Sequence, residues 1–197
     1  MANEGVVAKG IARREEILEI ALDVFARSGY RGTSLREVAE IAGLTQAGLL
    51  HHFGTRENLL VEVLRRKEQL GREDHPDVAG TPYGLSAALR SNTSTPGLVE
   101  LHSVLATQAA DRSHPAHDYF TERYAGMRAR LSADLRRRVA SGEFDARVDP
   151  DHLATILVAL ADGLQVQWML DDSIDMGEHF DELLALLRTG AATPPAV

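Results

Sequence analysis

The chain has 197 residues, 44% of them apolar, which is enough to bury the core of one large or two small domains. It contains no cysteine, which excludes disulfides, thiolate metal sites and thiol nucleophiles. The net charge of −8 is unevenly spread: residues 1–70 hold 10 basic and 10 acidic side chains, and residues 71–197 hold 11 basic and 19 acidic ones. This asymmetry predicts two regions with different partners.

No targeting or membrane segment is expected. The longest apolar stretch, residues 153–161, is far shorter than the ~18 residues of a membrane span. The opening residues MANEGVVAKG lack a charged segment followed by a long apolar one, so no secretory signal is visible. We therefore expect a soluble, cytoplasmic protein.

The first helical pattern occupies the N-terminal residues. From Ile17 to Phe25 the apolar side chains recur at i, i+3, i+4, i+7 and i+8, which places them on one helix face. Gly29 suits the left-handed position that follows a helix end. A helix ending near residue 28 is predicted.

The next two predicted helices are short. The second begins at Ser34, with a glutamate three residues later as in a capping box, and it stops at Gly43. The third begins at Thr45, a good N-cap, and Gly54 can end it. Thr55 can then cap a fourth helix, so the stretch TQAGLLHHFGTRENLL is predicted to be two helices that meet at a corner.

The rest of the chain also reads as helices. The fourth runs to about Leu70, and the polar, Pro- and Gly-bearing residues 71–82 form a connection. Further helices are predicted at about 83–91, 97–110, 115–141, 150–170 and 177–189. The fold class is therefore all-α with about nine helices: an N-terminal three-helix domain over 1–54, a larger C-terminal helical bundle over 55–190, and a disordered tail over 191–197.

The second and third helices fit a helix-turn-helix. Gly43 and Leu44 allow only a sharp crossing between them, Ala39 is small where the two axes approach, and Leu49 falls on the inner side. The outward positions of the third helix carry small or polar side chains, which suits entry into a major groove ~12 Å wide. The turn alone fits an ordinary helical hairpin equally well, and the three capping signals favour DNA binding.

Residues 13–67 resemble the DNA-binding domain of tetracycline-repressor-type (TetR/AcrR) transcriptional regulators. The resemblance rests on the small-residue loop after the first helix, Leu59, and the residues Phe25, Thr33, Ser34, Ala39, Ala42, Gly43, His52, Phe53 and Arg56. The family usually has tyrosine where this chain has Leu50, and often threonine at Gly48. The hydroxyl of that tyrosine commonly contacts a DNA phosphate, and leucine cannot make this contact. His51, the next residue, is therefore expected to make it instead.

The resemblance implies a DNA-binding surface. Thr33, Ser34, His52 and Arg56 are expected to bind backbone phosphates, Ser34 together with the amides of its helix N-terminus. Gln46 is the candidate for base readout, since its amide can pair bidentately with adenine. The remaining surface residues are Thr45, Ala47, Gly48 and His51.

A homodimer on a palindromic operator is expected, because a helix-turn-helix binds palindromes as a dimer. Helix 150–170 is apolar nearly all round and the last helix carries an apolar stripe, so a four-helix dimer interface is expected, with an intramolecular core as the alternative. The expected interface residues are Leu153, Ile156, Leu157, Leu160, Leu164, Phe180, Leu183, Leu184 and Leu187.

The predicted function is a transcriptional regulator, most often a repressor in this family, that a small apolar or amphipathic effector releases from DNA. The effector would favour one conformer of the protein, and helix 55–70 would transmit this change to the third helix of each subunit, the recognition helix. The candidate effector contacts are Leu105 and five polar or aromatic residues on mostly apolar helices: His102, Tyr119, Tyr124, Gln165 and Trp168. No cofactor is expected.

Two further motifs resemble metal-binding patterns, but helix capping is the favoured interpretation of both. Asp171, Ser173, Asp175 and Glu182 fit positions 1, 3, 5 and 12 of a calcium loop, but Met176 occupies the position that requires glycine, so a helix N-terminus is favoured. His114 and His117 lie three residues apart around a proline, where capping of a helix start is favoured.

Two rival functions remain open. A constitutive DNA-binding protein would share the helix-turn-helix and have no effector. An all-α enzyme would need an acid, a base and a nucleophile brought together, and no such cluster is visible in the sequence.

Overall fold

The structure is a computed structural model that describes residues 2–188, with side chains from residue 9 onward. Over that range the fold is all-α, as predicted, and its helices are α1 (Ala2–Gly32), α2 (Leu35–Ile41), α3 (Gln46–Phe53), α4 (Arg56–Asp74), α5 (Pro82–Asn92), α6 (Pro96–Gln108), α7 (His117–Ala140), α8 (Pro150–Leu170) and α9 (Met176–Leu186). One isolated antiparallel bridge joins Phe144 to Arg188. The predicted tail, 191–197, lies outside the described residues.

Glycine and proline set several helix boundaries. Gly29 has a φ of 68° and a ψ of −174°, so it breaks α1 close to the predicted end and leaves a short final turn beyond it. Helices α5, α6 and α8 each begin with a proline in the first turn, at Pro82, Pro96 and Pro150. Proline is tolerated there because the first amides of a helix have no intrahelical acceptor.

The chain divides into two compact units that alternate along the sequence. Within the described residues, the first unit holds the chain up to Glu73 together with Ser94–Phe120, and the second holds Asp74–Thr93 and the residues from Thr121 onward. The predicted division at residue 54 is a division of roles and does not coincide with a boundary between these units. It stays a prediction.

The core of the first unit forms around α1. Ile17, Val24 and Phe25 are at most 1% exposed, and α2 and α6 pack against this helix. Helix α6 approaches closely at Gly97, where an added Cβ would lie 2.1 Å from the Phe25 carbonyl oxygen. No side chain fits between the two backbones at that point.

The core of the second unit forms around the inner face of α8. Helices α5 and α9 pack against this helix. Its buried cluster comprises Leu89, Leu131, Leu135, Phe144, Leu153, Ala154, Leu157, Val158, Ala161, Leu164, Met176, Phe180 and Leu184.

The predicted interface residues are mostly core residues of the chain itself. Leu153, Leu157, Leu164, Phe180 and Leu184 are buried in this cluster, and Leu160, Leu183 and Leu187 pack against it partly buried. Of the nine, Ile156 alone is largely exposed, at 56%. An apolar count does not distinguish the two sides of a helix that is apolar on both, so it could not show which of the nine residues the chain buries by itself, and the interface stays a prediction.

Helix α8 is, among the described residues, the one helix long and apolar enough to cross a membrane by length and composition alone. The core helix of a soluble protein passes the same test. Leu157 and Ala154 on its inner face are fully buried, so the packing described above accounts for the apolar character of that face.

Two glycine substitutions test the contact between α1 and α6. Gly97→Ala should lower the free energy of unfolding by about 1–3 kcal/mol, because the new Cβ meets backbone atoms that cannot move aside. Gly71→Ala on α4 has no atom within 4 Å of the new Cβ and should raise the free energy of unfolding by about 0.5–1 kcal/mol. Thermal and urea unfolding of both variants measures the difference, and equal effects would contradict the close approach.

Candidate nucleic-acid interface and sensor residues

The turn between α2 and α3 has the geometry of a helix-turn-helix. Ala39 is 1% exposed where the two helices meet, and its carbonyl accepts a hydrogen bond from the Leu44 amide at 2.8 Å. Gly43 has a φ of 66°, a left-handed conformation that favours glycine. Leu49 is fully buried and fixes the inner face of α3. The sharp crossing predicted from the sequence is confirmed.

Three hydroxyl side chains cap the helices around this turn. The Ser34 Oγ accepts a hydrogen bond from the amide three residues on at 3.1 Å, the Thr45 Oγ1 does the same at 3.0 Å, and the Thr55 Oγ1 at 3.1 Å. Each satisfies an amide that the helix itself leaves unpaired. Gly54, with a φ of 81°, ends α3 just before the last of these caps.

Basic side chains of α1 hold this segment in place. The Arg13 guanidinium donates a hydrogen bond to the carbonyl of Ala42, the last residue of α2's C-terminal turn. The Arg14 guanidinium lies 4.8 Å from the centre of the Phe53 ring and also forms an ion pair with Glu62 at 3.3 Å. These two arginines tie the turn of the helix-turn-helix and the end of α3 to α1.

The outward face of α3 is accessible. Thr45, Gln46, Ala47 and His51 are exposed, and Gly48 and His52 are half-buried. The His51 and His52 rings stand 6.1 Å apart at 67°, so they point in different directions. Accessibility is what DNA contact requires of these six residues, and the contact itself stays a prediction.

The predicted phosphate ligands differ in their exposure. Ser34 is exposed, whereas Thr33 is 6% exposed and its Oγ1 has no hydrogen-bond partner among the described residues. The Thr33 hydroxyl is therefore less accessible than that of Ser34, and its contact with a phosphate stays a prediction. Its burial follows from its position between the end of α1 and the cap of α2.

Arg56 lies against an aromatic residue that the sequence reading did not single out. Its guanidinium is 4.6 Å from the centre of the Tyr30 ring, and its Nη1 donates a hydrogen bond to the Tyr30 Oη at 3.1 Å. The two residues are 26 positions apart, so no local pattern could connect them. The one hint was an aromatic residue directly after the helix-ending glycine.

Three of the predicted effector contacts lie in the first unit. His102 and Leu105 are buried on α6, and the His102 ring meets the Phe120 ring edge-on at 5.6 Å. The Tyr119 Oη donates a hydrogen bond to the Glu68 carboxylate at 3.3 Å. All three therefore have packing or hydrogen-bonding roles within this unit.

The other three lie in the second unit. Gln165 is buried, accepts a hydrogen bond from the Asn92 amide at 3.0 Å and donates one to the Ala161 carbonyl at 3.2 Å. Trp168 packs against the second unit's core. The six predicted contacts are thus divided equally between the two units.

Tyr124 belongs to a partly buried polar pair on α7 and α8. Its Oη donates a hydrogen bond to the Asp162 Oδ2 at 2.7 Å. Burial raises the pKa of the Asp162 carboxyl, although the Tyr124 hydrogen bond and the charge of Arg123 oppose the shift. Burial also raises the pKa of the Tyr124 hydroxyl, and the nearby Asp162 charge adds to that shift. Asp162 was missed because it is a single acid within an apolar pattern.

The acidic segment before α9 has the structure of a turn followed by a helix cap. Asp171 accepts hydrogen bonds from the backbone and the side chain of Ser173, and Asp175 caps α9 by accepting from the Glu178 amide at 2.8 Å. These are the contacts that the helix N-terminus interpretation predicts. The described residues include no group of three or more acidic or histidine side chains placed to hold a metal ion.

Two family models match the chain. Residues 17–63 match the model of the bacterial regulatory proteins of the tetR family, and residues 85–193 match that of the C-terminal region of BetI-type transcriptional repressors. The second match alone covers more than half of the chain. This chain belongs to the TetR family of transcriptional regulators. The N-terminal match contains α2 and α3, the helices whose geometry is described above.

The individual proteins that this chain resembles are also transcriptional regulators. The transcriptional repressor KstR2 of Rhodococcus jostii is 25% identical over 189 residues, 92% of each chain. A transcriptional regulator of Saccharomonospora viridis, solved in complex with choline, is 26% identical with a TM-score of 0.64, covering 87% of this chain and 92% of its own. A TetR regulator of Chloroflexus aurantiacus shares the fold at 24% identity with a TM-score of 0.69, covering 91% and 96%.

This TetR-family regulator also exposes an apolar stripe, of which the sequence analysis named Ile156 alone. Ile156, Ala159, Gly163, Val166 and Leu170 follow one another on the outer side of α8 at alternating spacings of three and four residues. Ile156, Val166 and Leu170 are 56%, 46% and 85% exposed. This spacing is typical of a seam between two packed helices. It could have been recognised by plotting both faces of the helix separately.

The Tyr124–Asp162 pair gives this regulator a pH-dependent contribution to stability. A carboxyl whose pKa is raised on folding makes the fold less stable once the pH exceeds its ordinary pKa of 3.8. This loss of stability grows until the pH has passed the raised pKa of the folded state. Asp162→Asn should therefore raise the melting temperature at pH 7.5, and the gain should shrink as the pH falls toward 3.8. Tyr124→Phe, which removes the hydrogen-bond donor to the buried Asp162 carboxylate, should lower the melting temperature at pH 7.5. A lower melting temperature for Asp162→Asn at pH 7.5 would contradict this account.

Proposed function

We propose that this TetR-family regulator is a homodimeric repressor that binds a palindromic operator through α3 and leaves it when a small molecule binds the C-terminal region. The whole-length similarity to a transcriptional repressor supports repression over activation. The protein would act in the cytoplasm, where bacterial operators lie. DNA recognition and effector release are argued separately below.

The observation that carries DNA recognition is the rigid, capped α3 with its accessible outer face. Gln46 stands in the first turn of α3, where a recognition helix contacts base edges. Ser34, His52 and Arg56 flank it as phosphate ligands, and His51 takes the place of the usual tyrosine at the neighbouring position. Residues 1–70 carry no net charge, so this region lacks the excess of negative charge that would repel DNA phosphates.

Gln46 and Arg56 should contribute to binding in different ways. Gln46→Ala should weaken binding to the preferred operator by about 1–3 kcal/mol, mostly through one base pair per half-site, because a base contact is lost. Arg56→Ala should weaken all sequences about equally and lower the salt slope by about one per subunit, because one phosphate contact is lost. The preferred operator is first selected from a random duplex pool with the wild-type protein.

Binding is then measured on operator variants at several salt concentrations. Gln69→Ala, an exposed glutamine of α4, and Arg147→Ala, an exposed arginine of the second unit, are the matched controls and should leave binding unchanged. If Gln46→Ala and Arg56→Ala lose the same sequence preference, or if neither changes affinity, α3 does not occupy the groove.

The outer stripe of α8 is our candidate for the dimer interface, in place of the core residues predicted from the sequence. Leu186 on α9, the helix packed beside α8, is also 64% exposed. An added Cβ at Gly163 would meet no atom within 4 Å, which leaves room for a helix of a second copy to approach. Two such surfaces facing each other would form a four-helix interface, for which we expect more than ~1,000 Å² of buried area.

Substitutions on the two faces of α8 separate assembly from folding. Ile156→Glu should give folded monomers, because it places a charge in the seam between subunits. Leu157→Glu should unfold the second unit, because that side chain is fully buried. Light scattering and circular dichroism measure mass and folding. Ile11→Glu, which alters an isoleucine of equal exposure on α1, is the matched control and should remain dimeric. A dimer that survives Ile156→Glu and Val166→Glu would exclude this interface.

The effector is proposed to be a small molecule with a substantial apolar part that binds among the C-terminal helices. Choline in the Saccharomonospora relative makes a small organic cation the first compound to test. Binding would favour one of two conformers, and α4 would carry the shift to the recognition helices. Operator release follows if their separation then departs from the ~34–36 Å between successive major grooves.

A true effector should stabilise the protein and weaken DNA binding together. At a hundred times its dissociation constant it should stabilise the bound form by about 2.7 kcal/mol, which a thermal-shift screen detects. Choline is tested first, and then a panel of apolar and amphipathic compounds. A compound that raises the melting temperature without changing operator affinity would count against coupling between the two regions.

A further inference from the structure

The last turn of α1 is held by α6. The break at Gly29 leaves the following amide, that of Tyr30, without a helical acceptor, and the Glu100 Oε2 accepts its hydrogen bond at 3.0 Å. An added Cβ at Gly29 would lie 2.0 Å from that same oxygen. Gly97, one helical turn earlier on α6, touches the backbone of α1 directly. All of these residues belong to the first unit.

Tyr30 in turn holds the guanidinium of Arg56. The guanidinium stacks over the ring at 4.6 Å and donates a hydrogen bond to its hydroxyl at 3.1 Å. Two contacts of different kinds define both the distance and the orientation of this group. Among the side chains from residue 9 to residue 188, no carboxylate pairs with Arg56, so its charge is available to an anion outside the protein.

We propose that Tyr30 is a positioning residue for DNA binding: it orients Arg56 toward an operator phosphate, and α6 fixes Tyr30 through Glu100. This rests on the proposed phosphate contact of Arg56. An arginine on a flexible stem loses rotamer freedom when it binds, and a side chain held in place beforehand loses less. The aromatic platform therefore raises affinity without touching the DNA.

The arrangement also connects the position of α6 to the DNA-binding surface. Glu100 holds the backbone of Tyr30, so a movement of α6 along or around its axis would carry the ring with it. The guanidinium would move with the ring, because both of its contacts are to Tyr30. This route runs from α6 to the start of α4 through the end of α1, and it is separate from a tilt of α4 itself.

A double-mutant cycle on the selected operator tests the positioning role. Tyr30→Phe keeps the ring and loses the hydroxyl, and Tyr30→Leu loses both contacts. We expect graded losses of affinity, up to roughly two- to tenfold per subunit for the leucine variant. In an Arg56→Ala background the same substitutions should change affinity less than twofold, because the group that they position is absent.

Two further variants distinguish positioning from general damage. Glu100→Ala should reduce affinity only when Arg56 is present, and Glu100→Gln, which keeps an oxygen for the Tyr30 amide, should restore most of it. Tyr83→Phe is the matched control, since Tyr83 also lies under an arginine, 4.7 Å from the Arg138 guanidinium, but in the second unit. It should leave DNA affinity unchanged.

The outcomes separate this proposal from the function on which it rests. If Arg56→Ala leaves affinity unchanged, the phosphate contact is wrong and the positioning role falls with it. If Arg56→Ala weakens binding but Tyr30→Phe and Tyr30→Leu weaken it by the same factor with or without Arg56, the DNA-binding function stands and the positioning role is overturned.

Discussion

The surface proposed to bind DNA depends on three hydroxyl groups that fix where helices begin. Ser34, Thr45 and Thr55 each accept a hydrogen bond from an amide three residues further on, all within 22 residues of chain. Each cap costs about 0.5–2 kcal/mol to remove, and together they set the lengths of two short helices that have little stability of their own. Because α3 can neither extend nor slide, its outer face stays where the turn directs it.

These caps also explain why the N-terminal fold could be predicted from the sequence. A cap is a local interaction, so Ser34 and Thr45 reveal it without knowledge of the rest of the structure. Gly43 and Gly54 are informative for the same reason, since the left-handed conformation that each adopts is a property of one residue.

What the sequence could not provide depends on contacts between distant residues. Composition identified α8 as apolar but could not say that Leu157 faces the core while Ile156 faces outward. The stacking of Arg56 on Tyr30 needs two helices to meet, and the pairing of Tyr124 with Asp162 spans 38 positions. The burial of Thr33 could not be predicted either, because its neighbour Ser34, an exposed cap, also carries a hydroxyl but lies in a different environment.

The alternation of the two units along the chain limits how the DNA-binding part can be handled as a module. The first unit returns at Ser94–Phe120 after the chain has left it, and α6 in that return packs along α1. A fragment cut at residue 73 would keep every residue of α2 and α3 yet expose the strip of α1 that Gly97 and Glu100 cover. Fusion of these N-terminal residues to a foreign sensor would therefore require the receiving protein to supply a substitute for α6. The helix-turn-helix of this regulator is one continuous stretch of sequence, but the compact unit that contains it is built from two separate stretches.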